Sequence, residues 1–326
     1  MAEDIPPLPT LSRRRAFNQN LISGIVLFFT VGIYLAVLGL GAGGGKPTSQ
    51  RVSDISNSSL YGIYAVFGFF TGAILNILGP RLTMTIGVAG YPIYVAGFFY
   101  YDRTGHQWFP ILGGILLGFS APMLWSVSGF IQWAYAAEAE KGKYIAIQYF
   151  TNQVGSVIGS LVAFIIIYKG AMAAEGSPTS VYIAFICLMM IAFIFTIFGL
   201  VRPRDVRHSN GMAVAAFHTL SMKEEMIGVG RVLRDYRVLL MLEVIFSCEL
   251  VLGILPSVNG RYFDLRTRGM NNVIFYLVQL PASVGCALLT DHLPFGRRMR
   301  GYMSVGILGV FVCAGWSALL IWVSVD

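Results

Sequence analysis

Charged residues are scarce in this 326-residue chain, in which only 12% of the side chains belong to Asp, Glu, Lys or Arg. A soluble domain usually carries about twice that share. Hydrophobic residues make up 56% of the chain, and the mean hydropathy is +0.69. A soluble protein would need an unusually large core to bury this apolar excess, and a disordered chain would contain far less of it. The composition therefore excludes both classes and indicates a membrane protein.

Residues that build catalytic and metal sites are also sparse. The four cysteines lie inside apolar runs, where a disulfide framework is not expected, and the four histidines lack the spacing of metal ligands. Gly39, Gly41 and Gly44 match a dinucleotide-binding spacing, but an apolar run precedes them where a strand would be required. The basic residues are divided among many loops, which argues against a nucleic-acid partner. We therefore expect no metal, no cofactor and no enzymatic activity.

Nine apolar runs are long enough to cross a bilayer as helices, because a span needs about 20 residues. They are residues 20–40, 60–79, 83–101, 109–133, 145–168, 181–201, 238–258, 272–290 and 301–324. Strands of a transmembrane barrel are about half that length and alternate in polarity. The sequence predicts an all-α polytopic protein surrounded by the lipid bilayer.

The distribution of Lys and Arg predicts the direction of these spans. If the amino terminus is cytosolic, 16 of the 23 basic residues fall on the cytosolic side, as the positive-inside rule requires. The first run is too long for a signal peptide, so we expect it to be retained. Asn57 begins the sequon Asn-Ser-Ser in the first outside loop and is a candidate glycosylation site. The sequence does not distinguish the plasma membrane from an internal membrane.

The longest hydrophilic stretch, residues 202–237, separates six predicted spans from three. Apolar residues recur in it at helical spacing, at Met222, Met226, Val229 and Leu233. This pattern fits either a short amphipathic helix on the membrane surface or a polar linker with some helix. The predicted organisation is a cytosolic tail, a six-helix half, a linker and a partial second half, at residues 1–19, 20–201, 202–237 and 238–326.

Two short cytosolic loops follow the same register on either side of the linker. The first contains Gly72, Asn76, Gly79 and Arg81, and the second contains Gly285, Asp291, Gly296, Arg297 and Arg298, with Arg81 and Arg297 216 residues apart. Both resemble the glycine–acid–glycine–arginine loop of the major facilitator superfamily. The resemblance implies that they act as conformational gates, clamping helix ends in one access state. The first copy has an amide, Asn76, where the superfamily usually has Asp.

A narrower resemblance covers most of the first half. The segments that carry it are Gly32-Ile-Tyr34, residues 39–44, Tyr64 to Arg81, Gly90 to Tyr94, Ala121 to Trp125, Glu138 to Tyr144 and Asn152 to Gly159. They resemble the Unc-ninety-three-like branch of the superfamily, named as ion channel regulatory proteins, in its fungal form. One departure is Val31, where the branch would have a proline that bends the first helix. The resemblance implies twelve spans, so we expect a truncated gene model or a shortened isoform; a genuine nine-span protein is the alternative.

Polar residues inside the predicted spans are the candidates for lining a solute site. Glu249 lies midway along the seventh span, and it is either a titrating or solute-facing acid or a buried acid satisfied by a neighbouring helix. Gln148 and Asn152 in the fifth span either line a cavity or bond to other helices. Tyr34 and Trp125, from the family-like segments, complete the set. The glycine pairs Gly68/Gly72, Gly114/Gly118 and Gly155/Gly159 predict close helix packing.

Two functions remain open at this point. The first is secondary transport of an unknown small solute by alternating access of two halves around a midplane site. The second is a non-transporting adaptor that regulates or traffics another membrane protein, such as an ion channel or receptor. The register-matched loops and the polar residues at membrane depth favour transport, whereas the family name and the few embedded charges favour the adaptor.

Overall fold

The structure, a computed structural model, describes residues 9, 12–39, 49–169, 179–208, 211–214, 222–291 and 294–325. Within its helices some side chains lie outside the description, chiefly those of residues 243–253 and 286–291. The described chain is helical apart from connections and isolated β-bridges that join Arg15 to Arg207 and Arg207 to Ala213. The predicted all-α class is therefore confirmed. Helices dominate because a backbone in lipid must pair its own N–H and C=O groups.

Eleven α-helices lie within the described residues. Before the linker they are α1 (Ala16–Leu27), α2 (Ile33–Gly39), α3 (Ser49–Phe67), α4 (Thr71–Thr104), α5 (Trp108–Ala134), α6 (Lys141–Lys169) and α7 (Thr179–Gly199). A π-helical turn, Phe28–Gly32, joins α1 to α2. The later helices are α8 (Met222–Arg234), α9 (Tyr236–Tyr262), α10 (Leu265–Asp291) and α11 (Arg297–Val325). The linker thus contains a helix, α8, in which Met226 and Val229 are half-buried and Lys223 is exposed.

Six helical segments of the described residues are long and apolar enough to cross a bilayer. They are Ala16–Gly39, Arg51–Thr104, Trp108–Ala134, Lys141–Tyr168, Thr179–Gly199 and Arg298–Ala318. Arg51–Thr104 has 54 residues, more than a single crossing uses, and Gly79 interrupts it with φ 76° and ψ 165°. Helices α9 and α10 cover two further predicted spans but are not among the six. The predicted count of nine spans is therefore not confirmed.

The π-helical turn provides the irregularity that the missing proline at position 31 would have supplied. Val31 lies within the turn, which widens the helix locally without an imino acid. The same turn packs tightly on α6, since a Cβ atom on Gly155 would lie 2.5 Å from the Phe28 carbonyl oxygen. A Cβ atom on Gly32 would lie 2.8 Å from the Gly155 carbonyl carbon. Small residues therefore set the spacing between the first helix and α6.

The predicted glycine pairs differ in what surrounds them. A Cβ atom on Gly114 would lie 2.4 Å from the Ser56 carbonyl oxygen, and one on Gly118 would lie 2.8 Å from that of Leu60. Close packing is thus confirmed for this pair and for the pair that includes Gly155. At Gly68, by contrast, a Cβ atom would meet no described atom within 4 Å. The prediction of tight packing is wrong at Gly68, which lies in the 3-10 turn Gly68–Phe70 after α3 and faces open space.

The chain divides into two compact units, Met1–Tyr276 and Leu277–Asp326. The first contains a core of large side chains that are almost completely buried, among them Tyr94, Phe98, Tyr101, Tyr135, Tyr144 and Phe185. In the second unit, the described large apolar side chains of α11 are exposed, and Tyr302 and Phe311 keep 74% and 73% of their surface. Apolar exposure of this extent suits a helix surrounded by lipid or by other membrane helices.

Candidate functional site

A buried polar network surrounds Gln148 in α6. Its side-chain oxygen accepts hydrogen bonds from the Ser128 hydroxyl and, at 2.9 Å, from Gln132 Nε2 in α5. Its Nε2 donates to Asn20 Oδ1 in α1 at 2.7 Å, and Asn20 Nδ2 in turn donates to the Tyr144 carbonyl oxygen at 3.1 Å. Gln148 is fully buried. Its amide therefore joins three helices, which is the interhelical role that the sequence left open.

The other predicted solute-lining residues have the following environments. Asn152 is buried one turn after Gln148, and its Oδ1 has no hydrogen-bond partner among the described residues. Tyr34 packs edge-on against Tyr91 and Tyr94, with ring centroids 5.7 and 5.3 Å apart. Trp125 keeps 39% of its surface exposed on α5. Glu249 lies on α9 in the stretch whose side chains are outside the description.

A second polar group, the amide cluster, consists of Asn259, Asn271 and Asn272. Asn272 Nδ2 donates to the Ala36 carbonyl oxygen at 3.1 Å and to Ser160 Oγ at 2.9 Å. Asn259 Nδ2 donates to the Gly39 carbonyl oxygen at 2.8 Å, and Asn271 Nδ2 donates to Asn259 Oδ1 at 3.0 Å. The cluster therefore ties α9 and α10, which follow the linker, to α2 and α6, which precede it.

The amide cluster depends on the absence of a side chain at Gly39. A Cβ atom at this position would lie 1.8 Å from Asn272 Oδ1, so only a glycine lets α2 and α10 approach this closely. Nearby, Tyr276 donates from its hydroxyl to the Leu35 carbonyl oxygen at 3.4 Å. Sequence analysis did not identify the cluster, although the adjacent Asn271 and Asn272 at the edge of a predicted span were a signal for it.

A cavity of about 320 Å³ adjoins the amide cluster. Its lining includes the three amides, Gly39 and apolar side chains of α9 and α10 such as Leu255 and Phe275. Arg268, beside it, donates from Nε to the Phe263 carbonyl oxygen at 2.7 Å. Partial burial lowers the pKa of Arg268, and the nearby charge of Asp264 opposes this effect. The guanidinium also donates a hydrogen bond to the Gly260 carbonyl oxygen, so backbone carbonyls hold it in place. The volume suits a small molecule.

The first predicted gate loop meets the linker helix. Asn76 Nδ2 donates a hydrogen bond to Glu225 Oε1 of α8. A Cβ atom on Gly72 would lie 3.6 Å from the other carboxylate oxygen of Glu225. The amide at residue 76 is thus paired with the carboxylate of Glu225, which comes from the linker helix. Glu225 was not among the predicted site residues, and the amide at position 76 was the only hint of it.

The structure describes only some of the other predicted gate residues in full. Gly79 breaks α4 and Arg81 follows it, exposed, at the start of the next helical stretch. In the second predicted loop, Gly296 and Arg298 are exposed, whereas the side chains of Asp291 and Arg297 are outside the description. The gate role of both loops stays a prediction.

The candidate glycosylation site has a different environment from the one predicted. Asn57 lies inside α3 rather than in a loop, and its Oδ1 accepts a hydrogen bond from the Tyr94 hydroxyl at 2.7 Å. Its Nδ2, the atom that a glycan would occupy, donates to Ser53 Oγ at 3.4 Å. These contacts join α3 to Tyr94 of α4. Glycosylation of Asn57 stays a prediction.

Comparison with known proteins gives the family. The profile described as "Ion channel regulatory protein UNC-93" matches residues 50–252. The chain belongs to the UNC-93 family. It is 37% identical over 305 residues to an uncharacterized membrane protein of Schizosaccharomyces pombe, covering 94% of this chain and 62% of that protein. It is 33% identical to UNC93-like protein 1 of Arabidopsis thaliana, covering 92% and 66%.

An UNC93-like protein of Schizosaccharomyces pombe is 32% identical to this chain over 309 residues, which cover 94% of this chain and 60% of that protein. The chain thus spans less than two thirds of the length of these relatives. Membership of the UNC-93 family agrees with the apolar helices, and together they make the chain a membrane protein.

Proposed function

We propose that this chain works as an adaptor that binds another membrane protein, such as an ion channel, and regulates it. The observation that carries the proposal is the match of residues 50–252 to a family of ion channel regulatory proteins. The geometry supports it, because the buried amide of Gln148 and those of Asn259 and Asn272 are engaged in bonds between helices. Amides engaged in this way stabilise a fixed bundle and leave few polar groups to bind a solute.

Co-purification from the native membrane tests the adaptor proposal. The tagged chain is extracted in a mild detergent, and we expect a channel subunit to remain bound in constant proportion and its current to change when the chain is deleted. Gln148→Ala is expected to weaken this association only as far as it lowers folding stability. Recovery of the chain free of any channel, with unaltered currents after deletion, would contradict the proposal.

Secondary transport is a second candidate, and the cavity of about 320 Å³ beside the amide cluster favours it. In this proposal the amides of Asn259 and Asn272 are contacts that break as the two halves rock apart. Uptake of radiolabelled solutes into proteoliposomes under a proton gradient tests it. Flux that falls in Asn272→Ala would support transport, and an absence of flux across a broad solute panel would reject it.

A further inference from the structure

The N-terminal tail and the linker, about 190 residues apart in sequence, are joined by backbone hydrogen bonds. Arg207 N donates to the Arg14 carbonyl oxygen at 2.8 Å, and Ala16 N donates to the Arg207 carbonyl oxygen at 2.9 Å. Gln19 strengthens the junction, because its Oε1 accepts from Val201 N at 3.1 Å. Two arginine-rich segments that are distant in the sequence thus form one surface.

We name this surface the arginine patch and define it by the residues Arg13, Arg14, Arg15, Arg202, Arg204 and Arg207. Arg13 donates to the Phe198 carbonyl oxygen at the end of α7. Arg207 Nη1 donates to the carbonyl oxygens of Arg204, at 2.6 Å, and Val206, at 3.0 Å. Backbone carbonyls therefore fix two of the six side chains.

None of the six arginines forms an ion pair with an acid of the described residues, and Asp205 is the one acid within the segments 13–15 and 202–207. The ion pair found in the described part of the chain joins Lys141 to Glu138. Arg14, Arg202 and Arg204 are exposed to solvent. A concentration of exposed guanidinium groups costs self-repulsion, which a bound polyanion would relieve.

The position of the patch selects the kind of anion. α1 begins at Ala16, directly after Arg15, and α7 ends at Gly199, three residues before Arg202. Both helices are membrane-span candidates, so the arginines lie where a bilayer has its headgroups. Lys143 adds a further positive charge beside α1, with its Nζ 4.8 Å from the centre of the Phe17 ring.

We propose that the arginine patch binds the phosphorylated headgroups of anionic lipids, in the leaflet on the side of the N-terminal tail. Arginine suits this ligand because its planar guanidinium donates two parallel hydrogen bonds to phosphate oxygens. Clusters of four to eight basic residues beside a membrane span attract such lipids. This function is independent of the adaptor and transport proposals, since it needs neither a protein partner nor a solute.

Lipid binding by the full chain in nanodiscs tests this proposal. The discs contain phosphatidylcholine alone or with a small fraction of phosphatidylinositol 4,5-bisphosphate, and a fluorescent form of that lipid measures affinity. Arg14→Gln combined with Arg204→Gln is expected to weaken binding about thirtyfold, which is about 2 kcal/mol for two phosphate contacts. Neither side chain donates a hydrogen bond within the described structure, so folding should be unchanged, as a thermal melt in plain phosphatidylcholine would verify.

The matched control is Arg231→Gln combined with Arg234→Gln, which removes the same charge from exposed positions of α8. We expect this control to keep the wild-type affinity, and Arg14→Lys with Arg204→Lys to keep most of it. An equal loss in the α8 control would overturn the proposal, because net charge alone would then explain binding. Equally tight binding of soluble inositol trisphosphate would also overturn it, since the ligand would then be a free phosphate rather than a lipid.

Discussion

Replacing Gly39 by alanine would place a Cβ atom 1.8 Å from Asn272 Oδ1 and 2.2 Å from Asn272 Cγ. The Asn272 amide must then leave its place and give up its bonds to the Ala36 carbonyl oxygen and to Ser160 Oγ. Hydrogen bonds between membrane helices contribute about 0.6 kcal/mol on average and up to about 1.7 kcal/mol. The loss of two bonds predicts that Gly39→Ala lowers the free energy of unfolding by about 1–3 kcal/mol.

Asn272→Ala distinguishes this mechanism from a general effect of adding a methyl group. The single variant loses the same two bonds and should also cost about 1–3 kcal/mol. In the double variant the new methyl group occupies space that the amide has vacated. The double variant should therefore cost about as much as Asn272→Ala alone, with a coupling energy as large as the cost of Gly39→Ala, about 1–3 kcal/mol.

The assay is equilibrium unfolding of the purified chain in mixed micelles, with the transition followed by circular dichroism as the denaturing detergent is increased. Gly62→Ala is the control, because a Cβ atom at this helical position meets no described atom within 4 Å. It should leave stability unchanged or raise it slightly. Additive costs in the double variant, or an unaffected Gly39→Ala, would refute the reasoning.

Three further variants test other contacts. Asn76→Asp sets a carboxylate against that of Glu225, and this repulsion should speed tryptic cleavage of the linker several-fold. Adding Glu225→Asn in the same chain should reverse the effect. Unchanged cleavage would reject the contact. Gly155→Ala places a methyl group 2.5 Å from a carbonyl oxygen of the π-helical turn and should cost about 1–3 kcal/mol of unfolding free energy in micelles. Asp264→Ala, which removes a cap from α10, should cost about 1 kcal/mol at neutral pH. Hydrogen bonding to Thr267 lowers the pKa of the Asp264 carboxyl. The stabilisation by Asp264 should therefore be complete above the ordinary pKa of an aspartate and disappear as the pH falls through the lowered pKa of the folded state. A cost of Asp264→Ala that persists in strong acid would contradict this.

Hydropathy predicted the helices well because one physical requirement, backbone pairing in an apolar solvent, governs all of them. The apolar run at 109–133 became α5, Trp108–Ala134, with ends that differ by one residue. The break in α4 at Gly79, between the second and third apolar runs, was also predictable, since Pro80 follows Gly79 in the sequence. The number of crossings is a different matter, because helix length and composition do not locate the bilayer.

The polar contacts were harder to predict, because they join residues that are distant in sequence. Asn272 and Gly39 are partners across more than 200 residues, and no periodicity of either segment relates them. Gln148 was identified as a polar residue at membrane depth, but its bonds to Asn20 and Ser128 depend on how three helices pack. The sequon at Asn57 describes local sequence only, so it did not reveal the hydrogen bond from Tyr94.

The π-helical turn at Phe28–Gly32 also keeps the first helix aligned with α6 over its whole length. Contacts to α6 recur at every fourth residue, at Asn20, Gly24, Phe28, Gly32 and Ala36. In an ideal α-helix a four-residue spacing drifts by about 40° per step, so the last of these positions would face well away from the first. The wider turn takes up part of that drift. Shortening it by one residue would therefore rotate α1 against α2 by about 100° and set one half of the contact stripe against lipid.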